Sequence, residues 1–214
     1  MSISAQHPTT YTEALTLIAE LRERMISPGW GIPIAGETLA RIRVLSREPG
    51  MRNHYVEVDR VDAFMGDLDY LKQWNLAAGS QERTNEFIRP ALTLRLGDCA
   101  VIGQVDGADM FLFAFPAGQG DTAMAAIETR LRQADVTEDE RRRFARAVCR
   151  RREGPLAGDV RYAAHLAGWR IAQPLYPTLT VRGYYNVPSC ELEHIFFHGD
   201  RAVFDQKAAR GLGR

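Results

Sequence analysis

The chain has 214 residues, enough for one domain with a sizeable core. Apolar residues make up 45% and charged residues 25%, as in an ordinary soluble globular protein. Lys+Arg and Asp+Glu both number 27, so the formal net charge is zero. No global field recruits nucleic acid or a membrane surface, and any such contact must come from a local patch. No apolar run approaches the roughly 18 residues needed to span a bilayer. Met1 to Thr10 lacks the basic-then-apolar order of a signal peptide. Cys99, Cys149 and Cys190 are far apart and odd in number, which fits a reduced, cytoplasmic setting without a disulfide framework.

Thr10-Tyr-Thr-Glu13 reads as a capping box, and it opens a helix to about Met25 with Leu15, Ile18, Ala19 and Leu21 on its apolar side. Ser27 to Pro33 is a breaker-rich loop, and residues 37–47 form a short helix. Tyr55 to Met65 reads as a strand that delivers Gly66-Asp-Leu-Asp69 at its end. Helices follow from about Tyr70 to Asn75 and from Gln81 to Leu92. Two apolar runs, Cys99 to Val105 and Met110 to Phe115, flank Asp106-Gly107, a strong hairpin signal. Gly120 to Ala134 is helical, with Ala123, Ile127 and Leu131 on one stripe. Thr137-Glu-Asp-Glu140 is a second capping box, before an Arg-rich helix to about Arg152. Gly154-Pro-Leu-Ala-Gly158 breaks that helix, and another short one covers 160–170. A strand from Thr178 to Tyr185 and a helix from about Ser189 to Ala209 close the chain. Interleaved strands and helices predict an α/β or α+β fold, with helices on a central sheet.

Asp67 and Asp69 at a strand end, or Asp106-Gly-Ala-Asp109 in a hairpin, say little separately. Together they are more informative, because a strand end and an adjacent hairpin can bring Asp67 and Asp109 side by side. Two carboxylates a few ångströms apart repel and call for a cation between them. Mg²⁺, which takes a few carboxylates plus substrate phosphates, suits such a pair.

Asp67-Leu-Asp-Tyr-Leu-Lys-Gln-Trp-Asn75 resembles the Asp-x-Asp-x-x-Lys-x-x-Asn stretch of GGDEF-type domains, the diguanylate cyclase-like family. Gly107-Ala-Asp-Met-Phe111, followed by Leu-Phe-Ala-Phe-Pro116, is similar to that family's Gly-Gly-Asp/Glu-Glu-Phe signature and the apolar strand behind it. Asp200-Arg-Ala-Val-Phe-Asp-Gln-Lys207 and Arg210-Gly-Leu-Gly-Arg214 resemble its closing helix. The matches cover roughly residues 55–134 and 177–214, in the family's order.

The resemblance implies a palm-like nucleotide-cyclase fold, with a central, mostly antiparallel sheet and flanking helices. It implies condensation of two GTP, or another nucleoside triphosphate, into a cyclic dinucleotide. Asp67, Asp109 and the Leu68 carbonyl would hold Mg²⁺ or Mn²⁺. Asp109 and Lys72 would serve the chemistry. The amides of Tyr70 and Leu71 would cradle phosphates at a helix start, where the dipole favours anions. Lys207 and Arg210 or Arg214 would neutralise the triphosphate, and Asn75 and Thr84 would face the base or ribose. Arg95-Leu-Gly-Asp98 has the Arg-x-x-Asp form of the family's inhibitory site for cyclic di-GMP. A single site holds one triphosphate, so two subunits must face each other, at least transiently.

Three positions depart from the pattern. Ala108 replaces the second glycine of the signature, Met110 its second acid, and Thr84 the guanine-reading aspartate. Met110 can neither ligate Mg²⁺ well nor take a proton, and Thr84 cannot pair with guanine as a carboxylate does. A degenerate relative that binds GTP or cyclic di-GMP without catalysis is therefore the alternative reading.

Residues 1–54 read as a helical lead to a domain over 55–214, in which about 135–172 is an insertion. Seven arginines between Arg141 and Arg152 form its basic patch. It reads either as a solvated helix partnered by Glu138, Asp139 and Glu140 or as a contact for nucleic acid or a protein. Cys190, His194 and His198 share a helical face but span about 12 Å, too far for one zinc ion. Glu191-Leu-Glu193 resembles the Glu-x-Glu turn of ADP-ribosyltransferases, but the Ser-Thr-Ser strand that such a reading needs is absent.

Overall fold

In the computed structural model, residues 60–94, 101–104, 110–168, 170–171, 173–188 and 191–212 are described. The helices expected before residue 55, the Asp106-Gly107 turn, Asp109, Arg95, Asp98, Cys190 and Arg214 lie outside them.

Four strands form one sheet: β1 (Arg60–Leu68), β2 (Val101–Gln104), β3 (Met110–Pro116) and β4 (Leu179–Pro188). Their order is β2-β3-β1-β4, and every neighbouring pair is antiparallel. The helices among the described residues are α1 (Leu71–Ala78), α2 (Gln81–Leu92), α3 (Gly120–Arg132), α4 (Glu138–Glu153), α5 (Pro155–Leu166) and α6 (Leu192–Ala209). This is the expected α+β arrangement, with a central antiparallel sheet flanked by helices.

β1 and β3 are buried on both faces, and period-two alternation sorts their side chains. Phe111, Phe113 and Phe115 of β3 join Phe64 and the residues of α1, α2, α3 and α4 in one core. Met110, Leu112 and Ala114 join Val61, Ala63 and Met65 of β1 in a second core under Leu192, Ile195 and Val203 of α6. Strands covered on both sides read as near-continuous apolar runs, which is why β1 shows only imperfect alternation. β1 runs to Leu68, so Asp67 is still in the ladder, opposite Met110 on one side and Thr180 on the other.

The helices α4 and α5 pack onto the same body. Thr137 and Glu140 form the capping box of α4, each side chain accepting from the other's backbone N–H. Phe144 of α4 stacks on Trp74 of α1, with ring centroids 3.8 Å apart and planes 9° from parallel. Phe144 also meets Tyr70 edge-on at 6.1 Å. Arg83 of α2 binds the buried Glu140 carboxylate at 3.0 Å, tying α2 to the start of α4.

One expectation is corrected. Pro155 to Gly158 does not separate α4 from a helix at 160–170; it is the first turn of α5. Proline is tolerated at the first helical position, where its missing N–H would have no helical partner. Gly158 lies so close to α4 that a Cβ there would stand 2.5 Å from the Arg150 Cα. That glycine serves helix packing, not a turn.

Candidate functional site

The end of β1, the start of α1, the start of β4 and the end of α6 meet at one place. Asp67 faces the α6 side of the sheet, as do Ala63 and Met65, four and two residues earlier. Lys207, three residues before the Arg210 that ends α6, reaches under it. Its ammonium lies 2.8 Å from Asp67 Oδ1, donates to the Leu68 carbonyl at 2.8 Å and stands 3.8 Å from Asp69 Oδ1. Lys207 is 9% exposed, so this charge pairing is shielded from solvent.

Asp69 is a framework residue. Its carboxylate accepts from the Thr180 hydroxyl at 2.6 Å and the Thr178 hydroxyl at 2.8 Å. Its own N–H donates to the Thr178 carbonyl at 2.9 Å. Arg210 Nη1 lies 3.7 Å from Asp69 Oδ2 and donates to the Thr180 hydroxyl at 2.6 Å. Thr178 and Thr180 project to one side because they are two residues apart in extended chain.

Arg210 is positioned by the helix end. Gly211 takes φ 68°, and the Gly211 N–H bonds the Ala208 carbonyl while the Leu212 N–H bonds that of Lys207. This pair of bonds is a Schellman ending, and its left-handed residue favours glycine. It fixes Lys207 and Arg210 on the turn that meets β1.

The turn from β1 into α1 is unusual. Tyr70 has φ 57° and ψ 32°, left-handed backbone that costs a non-glycine residue roughly 1–2 kcal/mol. No side chain caps α1, and no acid sits in its first turn. Its first amides thus present partial positive charge, as expected of an anion cradle. The Tyr70 hydroxyl is buried and has no hydrogen-bond partner. Burial pushes its pKa above the ordinary phenol value, against the pull of Arg152 and Arg151.

Other expected site residues lie nearby in the chain but differ in environment. Lys72 is exposed on the first turn of α1. Asn75 is half-buried, and its Oδ1 has no hydrogen-bond partner. Thr84 is fully buried, and its hydroxyl donates to the Ser80 carbonyl at 3.1 Å, so that group is already spent within α2. Asn85, beside it, is buried with an unpartnered Oδ1; no motif singled it out. Met110 lies in the core on the α6 side, directly opposite Asp67.

Most of the basic patch is internally compensated. Arg142 pairs with Glu138 at 3.3 Å and Arg143 with Asp139 at 2.9 Å. Arg146 and Arg150 share Asp159 of α5, at 3.0 and 2.8 Å. Hydrogen bonds from Arg150 and then Arg146 pull its pKa well below the ordinary carboxylate range. Arg141 donates to the Leu175 carbonyl. Arg151 and Arg152, at the end of α4, instead turn towards Tyr70 and Gly211.

Hard oxygens from a carboxylate and a carbonyl suit Mg²⁺ or Mn²⁺. The Lys207 ammonium, 2.8 Å from both Asp67 Oδ1 and the Leu68 carbonyl, is a cation placed between them. The donor set thus fits a cation, with Lys207 as its stand-in. Among the described residues no three His, Cys, Asp or Glu side chains gather to hold a metal. Asp109, the third expected donor, lies outside those residues.

No protein-family model and no curated protein matches the chain. Among solved structures it is similar to the diguanylate cyclase SiaD of Pseudomonas aeruginosa, determined in complex with its activator SiaC. Identity is 16% and the TM-score is 0.51, over 92% of this chain and 65% of that one. The chain therefore spans about two thirds of that structure's length, and the likeness is one of fold. A diguanylate cyclase-like fold agrees with the architecture and with the closing helix meeting the end of β1. No helix among the described residues is long and apolar enough to cross a membrane.

Proposed function

We propose that the chain is a GGDEF-like nucleotidyltransferase domain that joins two nucleoside triphosphates, GTP foremost, into a cyclic dinucleotide. The observation that supports it best is the convergence of Asp67, the Leu68 carbonyl and Lys207 at 2.8 Å, beside the uncapped start of α1. In this reading Asp67 and the Leu68 carbonyl, with Asp109, hold Mg²⁺ or Mn²⁺. The metal would lower the pKa of the attacking 3′-hydroxyl and offset charge on the pyrophosphate that leaves. The amides of Tyr70 and Leu71, with Lys207 and Arg210, bind the phosphates. Lys72 supplies a further cation, as does Arg214. Asn75, whose Oδ1 lacks a partner, accepts from the base or ribose. A transient homodimer brings the two triphosphates together.

Incubation of the protein with each triphosphate and Mg²⁺, followed by mass spectrometry, tests this. A cyclic dinucleotide with release of pyrophosphate is expected. No pyrophosphate from any triphosphate would exclude synthesis.

A second reading is favoured by Met110 and Thr84. Met110 places an apolar core side chain beside Asp67, and Thr84 has its hydroxyl committed to Ser80. On this reading the domain binds GTP or cyclic di-GMP, the latter at Arg95 and Asp98, and acts through a partner protein. Calorimetric binding of either ligand without turnover would favour it over synthesis.

A further inference from the structure

The first half of α6 carries two histidines one helical turn apart, His194 and His198. Side chains four residues apart on a helix are neighbours, with Cβ atoms about 5–6 Å apart. Both residues are exposed, and their ring centroids stand 4.3 Å apart with planes 47° from parallel. Among the described residues neither imidazole takes a hydrogen bond or an ion pair, and the ring contact is with each other. His165, near the end of α5, instead lies beside the Tyr162 ring, at 6.3 Å between centroids.

The turn that carries the pair is pinned from behind. Leu192, Ile195 and Val203 are buried in the core on that side of the sheet. Gly199 packs so closely on β1 that a Cβ there would stand 2.4 Å from the Met65 Cγ. The helix therefore cannot roll to bury the imidazoles, and the packing that fills the core also holds them outward. Glu191 stands one turn before the pair and Arg201 one turn after it, both exposed, so the flanking charges balance.

Imidazole nitrogen suits Zn²⁺, Cu²⁺ and Ni²⁺, whereas Mg²⁺ takes oxygen donors. Zinc–nitrogen distances of about 2.1 Å put two nitrogens on one ion no more than about 4.2 Å apart. Rings with centroids 4.3 Å apart can meet that limit by turning their side-chain torsions alone. We propose that His194 and His198 form a two-imidazole site for a divalent transition metal, Cu²⁺, Ni²⁺ or Zn²⁺, on the outer face of α6. Water fills the other coordination positions, because among the described residues no third His, Cys, Asp or Glu side chain gathers there. Lys207 follows His198 by nine residues, about 13 Å along the helix axis. The site is thus separate from the cation seat at Asp67 and does not rest on the nucleotide reading.

The test is a calorimetric titration of the full chain with Cu²⁺, Ni²⁺, Zn²⁺ and Mg²⁺, beside His194→Ala, His198→Ala and the control His165→Ala. Both positions on α6 are exposed and alanine favours helix, so these variants keep the fold, which thermal unfolding in chelator checks. The wild type should bind Cu²⁺ more tightly than Ni²⁺ or Zn²⁺. His194→Ala and His198→Ala should each weaken all three at least fivefold. His165→Ala should stay within twofold, and no variant should change the response to Mg²⁺. A loss below fivefold in either α6 variant, or an equal loss in His165→Ala, would overturn the proposal. So would a loss in His194→Ala alone, which would move the metal away from His198. A second measurement needs no variant. Substoichiometric Cu²⁺ should broaden the imidazole NMR signals of His194 and His198 before those of His7, His54 and His165, and equal broadening of all of them would overturn the assignment.

Discussion

Asp69 offers the sharpest test of how the site is built. Its carboxylate takes two threonine hydroxyls from the start of β4 and stands within 4 Å of Lys207 and Arg210. Replacement by alanine leaves those hydroxyls without their acceptor and a shielded lysine with one anion fewer. Breaking a buried ion pair from one side typically costs 3–5 kcal/mol. Arg210 is half-exposed, with 48% of its side chain accessible, and it can rehydrate. The expected loss is therefore near the lower end, about 3 kcal/mol. Asp69→Asn keeps the shape but weakens two charge-assisted bonds, for about 2 kcal/mol. In urea, with a slope of about 2 kcal/mol/M, these losses move the midpoint by roughly 1.5 M and 1 M. A shift below about 0.5 M for Asp69→Ala, at unchanged slope, would refute the view of Asp69 as the knot between β1, β4 and α6. Asp67→Asn is the companion. It should weaken Mg²⁺-dependent nucleotide binding more than Asp69→Ala does, because Asp67 and not Asp69 faces the proposed cation.

Two further outcomes concern α4. Phe144→Ala removes the ring stacked on Trp74 from a site that is 1% exposed, and should cost about 3–5 kcal/mol in urea unfolding; a loss below about 1 kcal/mol would mean that α4 does not share the core. Burial pushes the Glu140 carboxyl up, but the Arg83 guanidinium and the Thr137 N–H and hydroxyl outweigh it and bring its pKa down to about 2. A depressed carboxyl stabilises the fold fully above its ordinary pKa of about 4.5 and loses that contribution as pH falls towards 2. Glu140→Gln should thus be less stable than the wild type at neutral pH, and the gap should close between about 4.5 and 2 in acid unfolding; a gap that is constant with pH would exclude an ionised Glu140.

What the sequence disclosed follows from the range of the interactions. The capping box of α4 and the β3 run are visible because their signals are local: a three-residue reciprocal bond and an apolar run ended by proline. Asp67 and Lys207 are far apart in the chain, and only the family resemblance joins them. Asp69, half of an acidic pair in the sequence, needs Thr178 and Thr180 to show that it is a framework residue. Those threonines carry no signal except their spacing of two. The Arg-rich helix is legible as a patch but not as two populations. Arg142 and Arg143 pair four residues back on their own helix, whereas Arg151 meets Tyr70 before α1 and Arg152 meets Gly211 after α6. Pro155 is ambiguous in the sequence because proline both breaks helices and starts them, and the packing of Gly158 against Arg150 decides between the two.

Met110 divides synthesis from binding alone, and a substitution there can report on the cation directly. In the ladder Met110 stands opposite Asp67, so their Cβ atoms are about 4.5–5.5 Å apart on the α6 side. Met110→Glu puts a second carboxylate in a place that is 3% exposed. Lys207 then has to serve Asp67, Asp69 and the new acid together. In chelator the variant should lose about 3 kcal/mol or more, the penalty of a buried charge without its own partner. A divalent cation bound by Asp67, the introduced carboxylate and the Leu68 carbonyl would relieve it. With a dissociation constant of about 1 mM, roughly 10 mM Mg²⁺ returns about 1.4 kcal/mol by mass action. The wild type, with one such carboxylate fewer, should gain less than half of that. Thermal unfolding with and without Mg²⁺ measures both. Equal metal effects in the two proteins would show that Asp67 and position 110 do not face a common cation. A larger effect in the variant would mean that the metal seat survives in the fold and that the methionine weakens it.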